Sequence, residues 1–199
     1  MGRPQTFVTA EAVRAAREVF WRDGYELASL PELEQATGLS RSSIYHAFGS
    51  KRGLFDAAVR SYLDEVSRPR LRPLTAAEVG PHAVVDYLAG LRGALRQPGS
   101  LASTSGCLLI NAAGAPVGRD AAVRDVIAAY RAELQAALAR GVAAHVPHHR
   151  EQERLAQTLT GLVVAALAVV RVDQPAALQL LDTAVELLHT DPAGAGSGD

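Results

Sequence analysis

A stretch near the beginning of the chain carries the signals of two short helices joined by a tight turn, with a third helix starting directly after them. Ser29 is a helix N-cap, and Glu32 three residues later completes a capping box. Gly38 is the kind of residue that ends such a helix, and Ser40 and Ser50 cap the two helices that follow. This spacing predicts a helix-turn-helix, an arrangement whose second helix can enter a DNA major groove.

Helical periodicity extends over nearly the whole chain, and no segment alternates apolar and polar residues as a half-buried strand does. Apolar residues make up 48% of the 199 residues, mostly as Ala, Leu and Val, whereas aromatic residues make up only 5%. Because these aliphatic side chains favour close-packed helices, the sequence predicts an all-α fold of about nine helices. Beyond the capped segment, the predicted helices are 9–23, 83–96, 103–114, 120–145, 151–171 and 175–189.

Helix breakers divide the predicted fold into two domains. Residues 1–50 form a three-helix, helix-turn-helix domain, and a fourth helix, 51–68, connects it to the rest. A segment rich in proline and arginine, 68–81, is predicted to end that helix and to link the domains. Residues 69–189 then form a C-terminal helical bundle, and the tail 190–199 is rich in Gly, Ala and Ser and is predicted to be disordered.

Charge and cysteine content limit the function classes. The net charge is −1, so a nucleic-acid partner requires a local basic surface rather than a global field. The single cysteine, Cys107, excludes an intrachain disulfide framework. The N-terminal residues lack an apolar signal region, and the longest uncharged apolar stretch, Leu155–Val170, is shorter than the roughly 20 residues that span a bilayer. We expect a soluble cytoplasmic protein with no membrane partner.

The third helix carries the residues predicted to contact DNA. Ile44 and Phe48, four residues apart, are predicted to face the core, which leaves the rest of the helix surface for nucleotides. Arg41 can pair with guanine, Tyr45 can contact a thymine methyl group, and Lys51, the only lysine, can hold a phosphate where the fourth helix starts. The predicted DNA-binding residues are Ser29, Ser40, Arg41, Ser42, Ser43, Tyr45, His46 and Lys51. The alternative interpretation is a pair of packed helices with no DNA function.

Four stretches resemble the N-terminal domain of TetR/AcrR-type transcriptional regulators. They are Phe20-Trp-Arg-Asp-Gly-Tyr25, Ala36-Thr-Gly-Leu-Ser40, Ile44-Tyr-His-Ala-Phe-Gly-Ser-Lys51 and Leu54-Phe55, all within residues 7–60. The resemblance implies a homodimeric repressor, whose DNA-binding domain is joined to an effector-binding and dimerisation domain, here 69–189. It also implies base contacts by Arg41, Ser42 and Tyr45, and contacts that are mostly with the DNA backbone by Ser43, His46 and Lys51.

Glu34 departs from that family pattern, in which alanine is common at this position. The residue follows the core residue Leu33 and lies near the turn. Because a carboxylate there disfavours a nearby phosphate, we expect its side chain to point to solvent.

A second informative stretch, Ser105-Gly-Cys-Leu-Leu-Ile-Asn111, resembles a motif on the sixth helix in one branch of the same family, near the effector pocket. The candidate ligand-binding residues are Tyr87, Cys107, Asn111 and Tyr130. A domain built mostly of Ala, Leu and Val would enclose an apolar cavity, so we expect a small, largely apolar effector and no cofactor. Core packing is the alternative for both tyrosines, and Asn111 either orients a ligand or caps a buried carbonyl.

Cys107 leaves two interpretations open. A free cysteine on an apolar helix is usually an inert core residue, but the branch resemblance implies the alternative of a thiol-based regulator that senses oxidants or electrophiles. Reactivity requires nearby cations, and the sequence neighbours offer none. An enzyme with this cysteine as nucleophile needs a neighbouring base, and no histidine lies close in sequence, so we expect no catalytic activity.

Histidines and glutamates in the C-terminal half raise the hypothesis of a metal site. They are His145, His148, His149, Glu151 and Glu153. Pro147 lies between the first two histidines and interrupts the helical spacing that would let them share an ion. We therefore expect a solvated loop and no metal.

The stretch Leu155–Val170 of the predicted helix 151–171 is apolar on nearly every side, which requires burial all round. In a single helical bundle, one face of this helix would stay exposed, so we expect a second copy of the chain to cover it. The last two helices would form this interface, with Leu178, Leu181, Val185 and Leu188 in it. Burial within the monomer is the alternative.

A dimer places two recognition helices about 34–36 Å apart, so the operator is expected to be near-palindromic. An effector that prefers another arrangement of the helices would release the operator.

Overall fold

The computed structural model describes residues 5–146 and 151–189, and every regular element in these ranges is helical. The α-helices are α1 (Gln5–Leu27), α2 (Leu30–Thr37), α3 (Arg41–Phe48), α4 (Lys51–Tyr62), α5 (Arg68–Thr75), α6 (Ala83–Arg96), α7 (Leu101–Ser105), α8 (Leu108–Ala113), α9 (Ala121–His145), α10 (Gln152–Val169) and α11 (Gln174–His189). A π-helical turn, Leu63–Ser67, joins α4 to α5, and a 3-10 turn, Pro116–Arg119, precedes α9. The predicted all-α fold is confirmed, whereas the predicted disordered tail lies outside the described residues.

The chain forms two compact units, and each is built from two separate stretches of sequence. The first unit contains residues up to 69 together with 107–124, and the second contains 70–106 and the residues from 125 onward. The segment 107–124 therefore belongs to the same unit as α1 to α4, although the chain on both sides of it belongs to the second unit. In the described residues, no helix has the length and apolar character needed to cross a membrane.

The first unit is built around α1, which packs against α2, α4 and α8. Its core contains Phe20 and Phe55, whose rings meet edge to face with centroids 5.2 Å apart, and both side chains are 2% exposed. Leu33 from α2 and Ile44 from α3 are also fully buried. One large apolar residue from each short helix thus ties the helix-turn-helix to the core of this unit, since burial of such a side chain contributes roughly 1.5–3 kcal/mol.

The second unit is built around α11, which packs against α6 and α10. Arg92 of α6 forms an ion pair with Asp182 of α11, with an Nε–Oδ1 distance of 2.6 Å. Gln174 at the start of α11 donates a hydrogen bond to the Leu95 carbonyl at 2.8 Å. The helices α6, α9, α10 and α11 agree with the predicted spans to within two residues at each end.

The segment rich in proline and arginine does not end the fourth helix as predicted. The chain passes from α4 through the π-helical turn directly into α5, Arg68–Thr75. Pro69 lies just after the π-helical turn, and Pro73 lies inside α5. Leu71 and Leu74, three residues apart, are both buried, so packing on one face favours a helix here despite the prolines.

The predicted helix 103–114 is instead two helices, α7 and α8, separated at Gly106. This glycine has φ 65° and ψ −118°, a conformation that side-chain-bearing residues rarely adopt. A Cβ atom built on it would lie 2.0 Å from the Leu167 carbonyl oxygen and 3.2 Å from a Val170 methyl group. The backbone of Gly106 therefore lies directly against α10, a neighbour that no local sequence pattern indicates.

Gly106→Ala is expected to lower the free energy of unfolding by about 3 kcal/mol, because it adds a left-handed backbone penalty to overpacking against a carbonyl group. Gly99→Ala is the matched control, since Gly99 also has positive φ, 72°, but no atom lies within 4 Å of a Cβ built on it. The control should lose only the backbone component, about 1–2 kcal/mol. Chemical denaturation of both variants measures the difference, and equal losses would refute the close contact with α10.

Candidate nucleic-acid interface

The helix-turn-helix is fixed by side-chain caps at the start of each of its helices. The Ser29 hydroxyl accepts a hydrogen bond from the Glu32 amide at 3.3 Å, and the Glu32 carboxylate accepts one from the Ser29 amide at 3.0 Å. This reciprocal pair confirms the predicted capping box. The hydrogen bonds from the Ser29 amide and hydroxyl lower the pKa of Glu32. Gly38 ends α2 with φ 67°, and its amide donates to the Glu34 carbonyl.

The first turn of α3 gathers three serine hydroxyls. Ser40 caps the helix by accepting a hydrogen bond from the Ser43 amide at 3.2 Å. Its hydroxyl oxygen also lies 2.9 Å from those of Ser42 and Ser43. Because these side chains are small and polar, little bulk covers this end of the helix, and another molecule can approach the backbone closely.

The outward face of α3 agrees with the sequence prediction. Ile44 is fully buried, whereas Phe48 is only half-buried, so just one of the two predicted core residues is enclosed. The side chains left exposed on this helix are those of Arg41, Ser42, Ser43, Tyr45, His46 and Ala47. The Arg41 guanidinium carbon lies 5.7 Å from the Tyr45 ring centroid, within the range of a cation–π contact.

Glu34 does not simply point to solvent, as the sequence led us to expect. Its carboxylate accepts a hydrogen bond from the Arg41 backbone amide, across the turn between α2 and α3. An acidic group is favoured at that place because the first amides of a helix lack intrahelical partners and carry partial positive charge. The signal in the sequence was an acidic residue in the helix that precedes the turn, although its partner amide lies seven residues further along the chain.

Two open cavities lie beside α3. One has a volume of about 480 Å³ and is lined by Thr9, Leu39, Ser42, Ser43, His46, Ala47 and Phe48. The other, of about 680 Å³, lies between α1, α3 and α4, and Thr9, His46 and Ala47 contribute to both. Thr9 of α1 was not among the predicted site residues, because sequence spacing within α2 and α3 carries no information on which part of α1 lies beside them.

The two basic residues that begin α4 have different surroundings. The Arg52 guanidinium pairs with Asp56 at 2.8 Å and with Asp120 at 2.9 Å. The Lys51 ammonium instead lies 4.7 Å from the centroid of the Tyr25 ring, and in the part of the chain that the structure describes it forms no ion pair with a carboxylate. Ser50 caps the helix by accepting a hydrogen bond from the Gly53 amide at 3.0 Å.

Asp120 links the segment 107–124 to the start of α4. Hydrogen bonds from Arg52 and from the Val123 amide lower the pKa of Asp120 to about 2. A second link is the hydrogen bond from the Val117 amide to the Glu26 carboxylate of α1 at 2.6 Å. These two contacts hold the segment against the helices that support α3.

The Asp120 carboxylate leads to a pH prediction. Because its pKa is depressed from an ordinary value of 3.8, its contribution to stability is present above about pH 4 and is lost as the pH falls through about 2. Asp120→Asn should therefore lower the free energy of unfolding by an amount that is constant near neutral pH and shrinks in acid. Urea denaturation of both proteins at several pH values tests this, and a difference independent of pH would contradict it.

The four candidate ligand-binding residues are divided between the two units. Cys107 and Asn111 belong to the first unit. The backbone amide of Asn111 donates a hydrogen bond to the Cys107 carbonyl at 3.0 Å, at the start of α8. Tyr87 on α6 is half-buried and Tyr130 on α9 is buried, and both belong to the second unit. The Cys107 side chain is 0% exposed, so a thiol-sensing role would require local opening before any reagent reached the sulfur.

The candidate metal residues are only partly described. His145 lies at the end of α9. Its ring centroid is 6.4 Å from the ring centroid of His82 and 5.8 Å from that of His189. His148 and His149 lie outside the described residues. Across the ranges that the structure describes, no three His, Cys, Asp or Glu side chains are arranged to hold a metal ion.

The chain is similar to known proteins in both its sequence and its fold. Residues 12–58 match the sequence model for bacterial regulatory proteins of the tetR family. The HTH-type transcriptional repressor ComR of Escherichia coli is 33% identical over 55% of this chain. The E. coli repressor BdcR is 29% identical over 62% of it. The chain spans about half the length of ComR, 51%, and 62% of BdcR.

Solved structures of similar proteins match this chain over nearly its whole length. A cysteine mutant of the TetR family transcriptional regulator CifR, complexed with 26-bp double-strand operator DNA, is 30% identical with a TM-score of 0.74. The match covers 92% of this chain and 98% of that one. The reduced form of NemR from E. coli has a TM-score of 0.73 at 19% identity, a likeness of fold alone. The match to a family regulator along almost its entire length, together with the helix-turn-helix match, shows that this chain belongs to the TetR family of bacterial regulatory proteins.

Proposed function

We propose that this protein is a dimeric transcriptional repressor, which binds a near-palindromic operator through α3 and is released by a small, largely apolar effector. The observation that carries the proposal is the exposed polar face of α3, held outward by the buried Ile44 and capped at both ends. Its relatives support it, since CifR was solved with operator DNA and ComR and BdcR are named repressors.

In the proposed complex, the first turn of α3 enters the major groove. Arg41 pairs with a guanine edge, and Tyr45, whose ring lies beside that guanidinium, contacts a neighbouring base. Ser42 allows close approach to the bases. Ser43, His46 and Lys51 contact phosphates, which set the orientation of the helix without reading sequence.

Ser29 and Ser40 have a more restricted role in this proposal. Both hydroxyl groups already accept hydrogen bonds from amides within their own helices. Ser40 can still donate its hydrogen to a phosphate oxygen, since a hydroxyl offers a donor as well as acceptors. The Ser29 hydroxyl already donates to the Glu32 carboxylate at 2.8 Å, so it would have to exchange that bond for one to a phosphate. We therefore assign them to the DNA backbone rather than to bases.

The proposed dimer forms through α10 and α11. Of the residues predicted at the interface, Leu181 and Leu188 are buried within the chain itself, which leaves Leu178 and Val185 partly exposed for a second copy. The large residues of α10, Leu155, Leu159 and Val163, are buried within the chain itself. The opposite side of the helix exposes Gly161 and Ala168, and no atom lies within 4 Å of a Cβ built on Gly161. A surface of small residues lets the α10 helices of two copies pack closely, since little side-chain bulk separates their backbones.

The proposed effector response uses the segment 107–124. The chain enters it from the second unit and returns to the second unit, yet the segment packs with α1 and α4 of the first. Effector binding in the second unit would shift this segment through its two chain connections, and with it the helices that support α3. Such a ligand acts by preferring the arrangement in which the two α3 helices no longer match the two grooves.

Selection from a pool of random duplexes tests this proposal, because it finds the operator and the affinity for it in one experiment. We expect enrichment of a near-palindromic sequence, with an affinity that falls steeply as salt concentration rises, because phosphate contacts release counterions. A thermal-shift screen with apolar small molecules then identifies effectors that also weaken the operator complex. Failure to enrich any sequence at low salt would refute DNA recognition by this chain.

A further inference from the structure

We propose that Tyr25 is a positioning residue for Lys51, because its ring holds the lysine ammonium at the start of α4, ready for a DNA phosphate. This inference rests on the proposed DNA-binding function. It adds a residue on α1, far from α3 in sequence, to the machinery that orients the protein on DNA. The contact that motivates it is the distance of 4.7 Å between Lys51 Nζ and the Tyr25 ring centroid.

The backbone before Tyr25 sets the direction of its side chain. Gly24 interrupts α1 with φ 79° and ψ 171°, so Tyr25 leaves the helical register of the preceding turns. A Cβ built on Gly24 would meet nothing within 4 Å, so the position favours glycine for its torsion angles rather than for space. The predicted end of the first helix at Gly24 therefore coincides with a real interruption, although a further turn follows it to Leu27.

The Tyr25 ring is fixed by the aromatic core of the first unit. It stacks on Phe20 with centroids 6.2 Å apart and an interplanar angle of 22°. It also meets the Phe55 ring at 5.1 Å and 62°. Since Phe20 and Phe55 are each 2% exposed, the half-buried Tyr25 ring packs against two side chains enclosed in the core. The lysine therefore contacts a ring with a defined place in the fold.

An aromatic partner suits a phosphate-binding lysine better than a carboxylate does. The ring attracts the ammonium through its quadrupole and carries no net charge, so Lys51 keeps its full positive charge. The neighbouring Arg52 shows the contrast, because Asp56 and Asp120 compensate its charge. A flexible lysine loses much of its rotamer entropy when it is fixed. Because the Tyr25 ring already restricts the lysine side chain in the free protein, less of its rotamer entropy is lost when DNA binds.

The first test uses the fact that Lys51 is the only lysine in the chain. Reductive methylation with ¹³C-formaldehyde labels its ammonium and the N-terminal amine, and Lys51→Arg identifies which signal belongs to the lysine. We expect the dimethyl-lysine signal of the unsubstituted protein to be shifted upfield by the ring current of Tyr25. Tyr25→Phe should keep the shift, and Tyr25→Leu should abolish it. An unshifted signal in the unsubstituted protein would overturn the proposal without any need for DNA.

The second test is a double-mutant cycle on the affinity for the selected operator. Tyr25→Leu is expected to weaken binding by roughly two- to fivefold per subunit, the size of an exposed cation–π contact, and Tyr25→Phe should bind like the unsubstituted protein. In a Lys51→Met background, Tyr25→Leu should weaken binding no further. An equal loss in both backgrounds would mean that Tyr25 acts only through the core.

Two further outcomes are decisive. If Tyr25→Leu does not fold, phenylalanines with increasing fluorination at position 25 replace it, because fluorine weakens the negative ring face and changes the shape little. Affinity should then fall with fluorination, and a constant affinity would overturn the proposal. A protein that shows the shifted methyl signal but binds no duplex would refute the proposed function and leave the lysine–ring contact standing.

Discussion

Arg41→Ala is expected to weaken operator binding by about 2–6 kcal/mol in the dimer, because a bidentate arginine–guanine pair contributes about 1–3 kcal/mol and is made once in each half-site. The Arg41 side chain is exposed on the first turn of α3, with its guanidinium beside the Tyr45 ring. The variant should also lose its preference at one base pair in each half-site. Mobility-shift titrations with the selected operator and with single-base variants of it measure both effects.

Arg124→Ala is the matched control for charge. Arg124 is an exposed arginine of the same unit, on the first turns of α9 rather than on α3. Its removal should change affinity little and equally for all sequences, since a charge outside α3 acts only through the general field. If Arg41→Ala binds with unchanged affinity and unchanged base preference, or if both variants lose the same affinity, α3 is not the helix that reads bases through Arg41.

Gly161→Arg is expected to convert the dimer into monomers and, as a consequence, to abolish tight operator binding. The proposed interface brings the small-residue face of α10 against a second copy, and an arginine there adds bulk and an unpaired buried charge, which costs about 3–5 kcal/mol. Gly161 is exposed in the single chain, so the substitution should leave the fold of each subunit intact. Sedimentation velocity measures the mass, and circular dichroism checks the helical content.

Gly90→Arg provides the comparison for that experiment. Gly90 is also an exposed helical glycine of the second unit, on α6, and no atom lies within 4 Å of a Cβ built on it. Both substitutions replace glycine by a better helix former and add one charge, so their effects on the helix itself are alike. We expect Gly90→Arg to remain dimeric and to bind the operator. A dimeric Gly161→Arg would show that α10 does not form the interface through this face.

The features that were predictable from sequence are those with local causes. The caps at Ser29, Ser40 and Ser50 bond to amides three residues away, and those spacings are visible in the sequence. The exposed face of α3 follows from helical periodicity around Ile44. Family resemblance added the identity of the regulator, which composition and a net charge of −1 did not indicate.

The features that were missed depend on residues that are distant in sequence. Gly106 breaks the predicted helix because it lies against Leu167, and no pattern near residue 106 announces that neighbour. The prolines of α5 suggested a linker because burial of Leu71 and Leu74 could not be known. The division of the four candidate ligand residues between the two units was also not predictable, because neither a motif nor residue type determines which unit a side chain joins.

Local cleavage of DNA by a probe on α3 tests the central proposal most directly. Ala47 is exposed on that helix and is assigned no DNA contact, and replacement of the buried Cys107 by alanine leaves Ala47→Cys as the only thiol. An iron chelate attached there cuts the nucleotides that lie nearby. We predict two symmetric clusters of cuts in the selected operator, centred about 34–36 Å apart along the duplex. A single cluster, or cuts scattered evenly along the fragment, would contradict insertion of one α3 helix from each of two subunits.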